Sequence, residues 1–275
     1  MQVERIEGCD SKQADILSRI GTLITDVRQK IESQKIERQC FLKVMALFLM
    51  AEKVDGRKVS VKVIDSLRGE VESLRKDGEI QLTTKYPSLI EKSLWTLFMV
   101  REIACAPSHL SDKLVEDFNS LVACKSPFLG LMLWLFPKLV TGDRIKTVEN
   151  IERECLGTWM LGDRMLFWLA CIHGQNYRPE TIRYIEAQVR GLQLESGGFA
   201  TVEGKDVRAD LISSAIGLLT LVSCAREDDS EDPSTVEAAQ KTARWILDHL
   251  TVPQIVDASS AWALYALSEY SALFG

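Results

Sequence analysis

Histidine, proline and glycine are scarce in this chain and no two cysteines are spaced as CxxC: 275 residues hold 3 His, 7 Pro, 16 Gly and 7 Cys. Each shortage excludes something. Few histidines and an odd number of singly scattered cysteines argue against a zinc module or a disulfide framework, and the thiols read as reduced and buried. With little Pro or Gly to punctuate it, and with strand-like alternation rare, the chain belongs to the all-α class. No basic block offsets the formal net charge of −6 (Lys+Arg 33 against Asp+Glu 39), so neither nucleic acid nor an anionic membrane is expected as a partner. Long apolar runs are missing too. Ser126 to Leu135 is among the longest nearly uncharged stretches, well short of the roughly 20 apolar residues that span a bilayer. The opening MQVERIEGCDSK has no cleavable signal pattern, so the expected location is cytoplasmic.

What the chain does have is a hydrophobic fraction of 46%, arranged with helical spacing from about Ala14 onward. Caps, Gly and Pro divide it into helices that pair into six hairpins, at about 12–53, 58–105, 109–140, 143–175, 178–225 and 234–273. Residues 1–11 read as a loose tail and 12–275 as a single α/α domain. The two helices of each pair differ in kind. The first is amphipathic, as in ILSRIGTLITDVRQKIESQ or PETIRYIEAQVRGLQ; the second, as in FLKVMALFLMA, PFLGLMLWLFPKLV or SSAIGLLTLVSC, is apolar on most sides. A helix apolar all round must be enclosed by others, so the second members are expected to form an inner ring and the first an outer sleeve. Six such pairs either close into an α6/α6 barrel, a toroid, or stay open as a HEAT-like solenoid. Large inner side chains, Trp95, Trp134, Trp168 and Trp262 among them, favour closure.

Three connections lie between an outer helix and its inner partner: Asp77-Gly78-Glu79-Ile80, Glu195-Ser196-Gly197-Gly198-Phe199, and Leu250 to Asp257. Paired glycines permit a positive φ and a tight re-entry, with Phe199 tucked under the turn. Loops of this kind gather on one rim, where function usually sits.

Gly197-Gly198-Phe199-Ala-Thr-Val-Glu-Gly204-Lys205-Asp206-Val207-Arg208, followed by Ser213-Ser214-Ala215-Ile216-Gly217, resembles a repeat of the prenyltransferase and squalene (terpene) cyclase superfamily. Ile255-Val256-Asp257-Ala258-Ser259-Ser260-Ala261-Trp262 is similar to the Val-Asp-Gly-Cys-Tyr-Ser-Phe-Trp run of protein prenyltransferase β subunits. The resemblance implies a closed α/α toroid with a deep apolar cavity for an isoprenoid-like substrate, and a helical partner subunit in the protein prenyltransferases. Departures from the pattern shape the expectation. Ser259 stands where the zinc-binding Cys would be and no comparable His follows, so zinc is not expected; Thr251 and Gln254 replace the cations that hold a diphosphate. Against the protonating Asp-x-Asp-Asp motif of the cyclases, Asp210-Leu211-Ile212-Ser213 keeps only the first carboxylate.

Several residues then carry two readings each. Asp257 and Asp210, at the starts of inner helices, are either helix caps or the general acid of an apolar site. Arg208 is either the anchor of a polar head group or half of a structural Arg–Asp pair. Phe199, Trp95, Trp168, Trp262 and Tyr265 are either core or the aromatic mould of a substrate cavity. Asp228, Asp229 and Asp232 spell Asp-Asp-x-x-Asp, the candidate magnesium site, or a solvated acidic loop before a Pro-Ser helix start. Cys171 and His173 are two apart and share no helix face. The expected function is that of a divergent terpene cyclase-like or prenyltransferase-like protein that binds a hydrophobic molecule and acts on it without zinc, by cyclisation or transfer. The alternative is a catalytically inactive toroid, or a HEAT-like scaffold, that binds a partner protein.

Overall fold

The computed structural model describes residues 7–73, 75–76, 79–80, 87–103, 110–139, 150–151, 153–154, 156–173, 179–204, 207–227 and 232–275. Its elements, in chain order, are α1 (Glu7–Glu32), α2 (Phe41–Val54), α3 (Val61–Ser73), β1 (Arg75–Lys76), β2 (Glu79–Ile80), α4 (Pro87–Ile103), α5 (Leu110–Ala123), α6 (Phe128–Leu135), α7 (Leu161–His173), α8 (Pro179–Leu192), β3 (Phe199–Ala200), β4 (Ala209–Asp210), α9 (Leu211–Glu227), α10 (Pro233–His249) and α11 (Ala258–Phe274). Short 3-10 turns at Arg38–Cys40, Pro137–Leu139 and Leu156–Thr158 complete the set. The class is all-α, with two two-stranded hairpins, β1–β2 and β3–β4, both antiparallel. Helix α1 begins at Glu7, so residues 7–11, read as tail from the sequence, are helical.

The division into amphipathic and wholly apolar helices is visible in burial. On α1 the buried residues are Ile16, Ile20, Ile24, Val27 and Ile31, a single stripe at steps of three and four. On α8 they are Ile182, Ile185, Glu186 and Val189. By contrast α6 buries every residue from Leu129 to Leu135, and α9 every residue from Ser213 to Cys224. The apolar helices pack on one another. Helix α2 packs against α4, α4 against α6, α6 against α7, α7 against α9, and α9 against α11, while α11 also packs against α2. The first and last hairpins meet as well: Ile36 pairs with Val256, whose N–H donates to Lys35 O at 2.7 Å and whose carbonyl accepts from Glu37 N–H at 2.9 Å.

Aspartates start three helices, and each start follows from sequence. Asp210 Oδ1 accepts from the backbone N–H of Ser213 at 2.8 Å, Asp232 Oδ1 from that of Ser234 at 2.9 Å, and Asp257 Oδ1 from that of Ser260 at 2.8 Å. Each satisfies an N–H that the first turn leaves without a helical partner.

Between α4, α6 and α11 the interior is filled with aromatic rings. Trp134 stacks on Trp262 with centroids 5.1 Å apart; Trp95 meets Trp134 edge-on at 6.2 Å and Trp262 at 6.1 Å; Tyr265 lies 6.0 Å from Trp134. Such offset and edge-to-face pairs add about 0.5–1.5 kcal/mol each beyond the area they bury. The deep cavity implied by the resemblance is thus occupied at this level by the protein's own side chains.

The Gly197-Gly198-Phe199 turn is built as its residues suggest. Gly197 has φ +101, and its carbonyl accepts from Gln193 Nε2 at 3.1 Å and Thr242 Oγ1 at 3.0 Å. Phe199 is fully buried; its backbone N–H donates to Ser214 Oγ at 2.9 Å, and its ring lies against α9 where a Cβ on Gly217 would approach within 2.5 Å. Only glycine fits that position. Gly217→Ala is expected to cost about 1–3 kcal/mol by overpacking, and adding Phe199→Leu to it should restore part of the loss. Thermal unfolding of the two single variants and the double variant measures this coupling; purely additive losses would show that the ring and the glycine are independent.

Candidate functional site

Open space lies at one end of the apolar helices, above the aromatic centre. A pocket of about 320 Å³ is lined there by Lys43 of α2, Glu91 of α4, Phe128 and Leu131 of α6, Gly162, Asp163 and Leu166 of α7, Ile212, Ser213 and Ile216 of α9, Trp262 of α11, and by Met160, Thr201 and Asp210 between elements. All six apolar helices contribute, each from its first two turns. Their starts are brought together by the connecting loops: Leu161 N–H, at the head of α7, donates to Thr201 O at 2.9 Å, and Thr201 Oγ1 donates to Asp210 Oδ2 at 2.8 Å, at the head of α9. The β3–β4 hairpin therefore joins two walls of the pocket. Trp262, held from beneath by its stack on Trp134, lies between the pocket and the filled interior.

The polar groups divide by how fully they are satisfied. Lys43 Nζ and Glu91 Oε1 form an ion pair across α2 and α4. Both oxygens of Asp210 are engaged, Oδ1 by Ser213 N–H and Oδ2 by Thr201. Asp163 is different: no hydrogen bond or ion pair engages its carboxylate among the described residues. Burial pushes its carboxyl up from 3.8 to about 6, and the negative charge of Glu91 adds to the rise. A carboxyl raised to about 6 and left without a hydrogen-bond partner among the described residues can exchange a proton with a bound molecule.

The sequence candidates are distributed as follows. Asp210 and Trp262 line the pocket. Asp257 caps α11, accepting from both the N–H and the hydroxyl of Ser260 at 2.8 Å, and is not among the lining residues. Arg208 is exposed outside the pocket. Phe199 and Trp95 are buried in packing contacts, Phe199 against α9 and Trp95 in the aromatic centre; Trp168 is buried, and its indole N–H has no partner among the described residues. Tyr265 donates its hydroxyl to Glu269 Oε1 at 3.0 Å, and Glu269 is paired with Arg226 at 2.6 Å, toward the other ends of α9 and α11. His173 approaches Ser223 Oγ at 3.0 Å and is held below its usual range by burial. Of the candidate magnesium ligands, Asp228 and Asp229 lie outside the described residues, and Asp232 is spent on capping α10 and lies 3.5 Å from Arg190; Asp77, of the first connecting loop, also lies outside the described residues. Among the described residues no three His, Cys, Asp or Glu side chains are grouped so as to hold a metal ion, and no helix is long and apolar enough to cross a membrane.

Sequence reasoning passed over Lys43, Glu91 and Asp163. The available signal was positional, since each falls within the first five residues of an apolar helix. Comparison with protein families, with characterised proteins and with solved structures found nothing that matches this chain.

The raised pKa of Asp163 fixes the sign of a stability effect. Between about pH 4 and pH 6 the folded chain holds a proton that the unfolded chain has lost, so stability attributable to this group falls as pH rises through that window and stays reduced above it. Asp163→Asn removes this penalty. The variant is expected to match the parent below pH 4 and to exceed it above pH 6, by roughly 1 kcal/mol after allowance for solvent screening of a partly exposed group. Urea unfolding at pH 4, 5, 6 and 7.5 provides the comparison; a variant less stable than the parent at pH 7.5 would contradict the assignment.

Proposed function

We propose that the chain is an α/α toroid closed by the contact of α11 with α2, and that the mouth of its inner ring binds a small, mostly apolar molecule. The observation that carries this reading is the convergence of the first turns of six helices on one pocket of about 320 Å³, walled by Phe128, Leu131, Leu166, Ile212 and Ile216 and floored by Trp262. Pockets that take small molecules have this make-up, apolar walls with a few polar groups among them. The Gly197-Gly198-Phe199 and Ile255 to Trp262 segments support a divergent relationship to the prenyltransferase and terpene cyclase superfamily. The ligand is not a diphosphate: among the described residues the lining carboxylates Glu91, Asp163 and Asp210 outnumber Lys43, which Glu91 already engages. Asp163 is the group with which the bound molecule exchanges a proton.

A second reading, a partner-binding scaffold of the same architecture, is favoured by one observation, the filling of the interior by Trp95, Trp134, Trp262 and Tyr265.

Native mass spectrometry of the purified chain, followed by denaturing extraction, separates the two. A copurifying apolar molecule, or a rise in thermal midpoint with added 1-octanol, is expected, and Ile212→Trp, which fills the pocket from a partly exposed position, should reduce either signal about tenfold. A bare chain whose midpoint ignores 1-octanol would reject ligand binding and leave the scaffold.

A further inference from the structure

Resting on the proposed ligand pocket, we infer that its ligand carries an organic ammonium group on an apolar body, the cation held by Asp163 with Asp210 beside it and the aromatic floor of Trp262 beneath the apolar part. The argument is one of unmatched charge. Charged and titratable groups facing Asp163 across the pocket are Glu91 of α4, Lys43 of α2 and Asp210 at the end of β4; α6 contributes only Phe128 and Leu131, and α11 only Trp262. Lys43, the one cation among the described lining residues, pairs with Glu91, while Asp210 is engaged only by uncharged donors, Ser213 N–H and the Thr201 hydroxyl. Among the described residues, two carboxylates therefore share the pocket with no cation of their own, and one of them, Asp163, has no engaged partner.

An anionic head would meet repulsion from both carboxylates. A neutral one would leave the unfavourable burial of Asp163 as it is. A cation relieves it by supplying the missing counter-charge in a partly desolvated site, where attraction is stronger than in water. Burial and the Glu91 charge hold the Asp163 proton on to about pH 6, so ammonium binding must displace it. Affinity then rises with pH from 5 to 7.5 even for a ligand that cannot titrate.

Three eight-carbon probes test this on the intact chain by calorimetry: octyltrimethylammonium, 1-octanol and octyl sulfate, at pH 5 and 7.5. The quaternary head keeps its charge at both values, so any pH dependence belongs to the protein. The expected result is that octyltrimethylammonium binds about tenfold tighter than 1-octanol at pH 7.5, as a single well-placed ion contact gives, that octyl sulfate binds worst, and that the ammonium preference shrinks severalfold at pH 5. Asp163→Asn is expected to bring the ammonium and alcohol affinities within about twofold of one another. Equal affinity for ammonium and alcohol in the parent chain, or a preference that survives Asp163→Asn, overturns the head-group inference and leaves the apolar pocket standing. Failure of all three probes to bind overturns both. Urea unfolding of the variant distinguishes lost recognition from lost folding.

Discussion

The stack of Trp134 on Trp262 is the contact on which the interior depends. It brings together α6, from the middle of the chain, and α11, from its end, and Trp95 of α4 closes on both. Helices that are apolar on nearly every side have no solvent-facing solution, so they must find one another, and large indoles fill the space that six such helices leave between them. Everything placed above the stack inherits its position. The pocket lies above the stack, with Trp262 as its floor, where the helix starts also carry smaller or polar residues: Lys43, Gly162, Asp163 and Ser213.

Much of the architecture was legible because it is local. Helical pairs, and the contrast between a striped helix such as α1 and a uniformly apolar one such as α9, follow from spacing along a dozen or so residues. The starts at Asp210, Asp232 and Asp257 follow from an acidic side chain two or three residues before a serine. So does the turn at Gly197, whose positive φ and buried Phe199 are both foreshadowed by Gly-Gly-Phe.

The site was less legible, and the reason is electrostatic. An aspartate in the run Leu161-Gly162-Asp163-Arg164 looks like any acidic residue in a first helical turn, where it favours the helix dipole. What sets Asp163 apart is burial and the charge of Glu91, which comes from a different helix and a distant part of the chain. The motif positions point to Asp210 and Asp257, and those two are engaged in hydrogen bonds that start helices. A motif marks residues that resemble others; desolvation is a property of where a residue ends up.

The clasp between Ile36 and Val256 bears on how the chain acquires its fold. These residues, like α2 and α11 beside them, are separated by most of the polypeptide, yet they are in backbone contact. Closing so large a loop costs little more in equilibrium stability than closing a moderate one, because the entropy grows only with the logarithm of length. Speed is another matter, since contacts of high sequence separation slow folding by orders of magnitude. Until the two ends meet, one apolar flank of α2 and one of α11 face water together, so the slow step is also the one that leaves the most adhesive surface uncovered. The contact of α2 with α11 is therefore where a change, at Val256 or Ile36, is expected to lower refolding yield before it alters the native state.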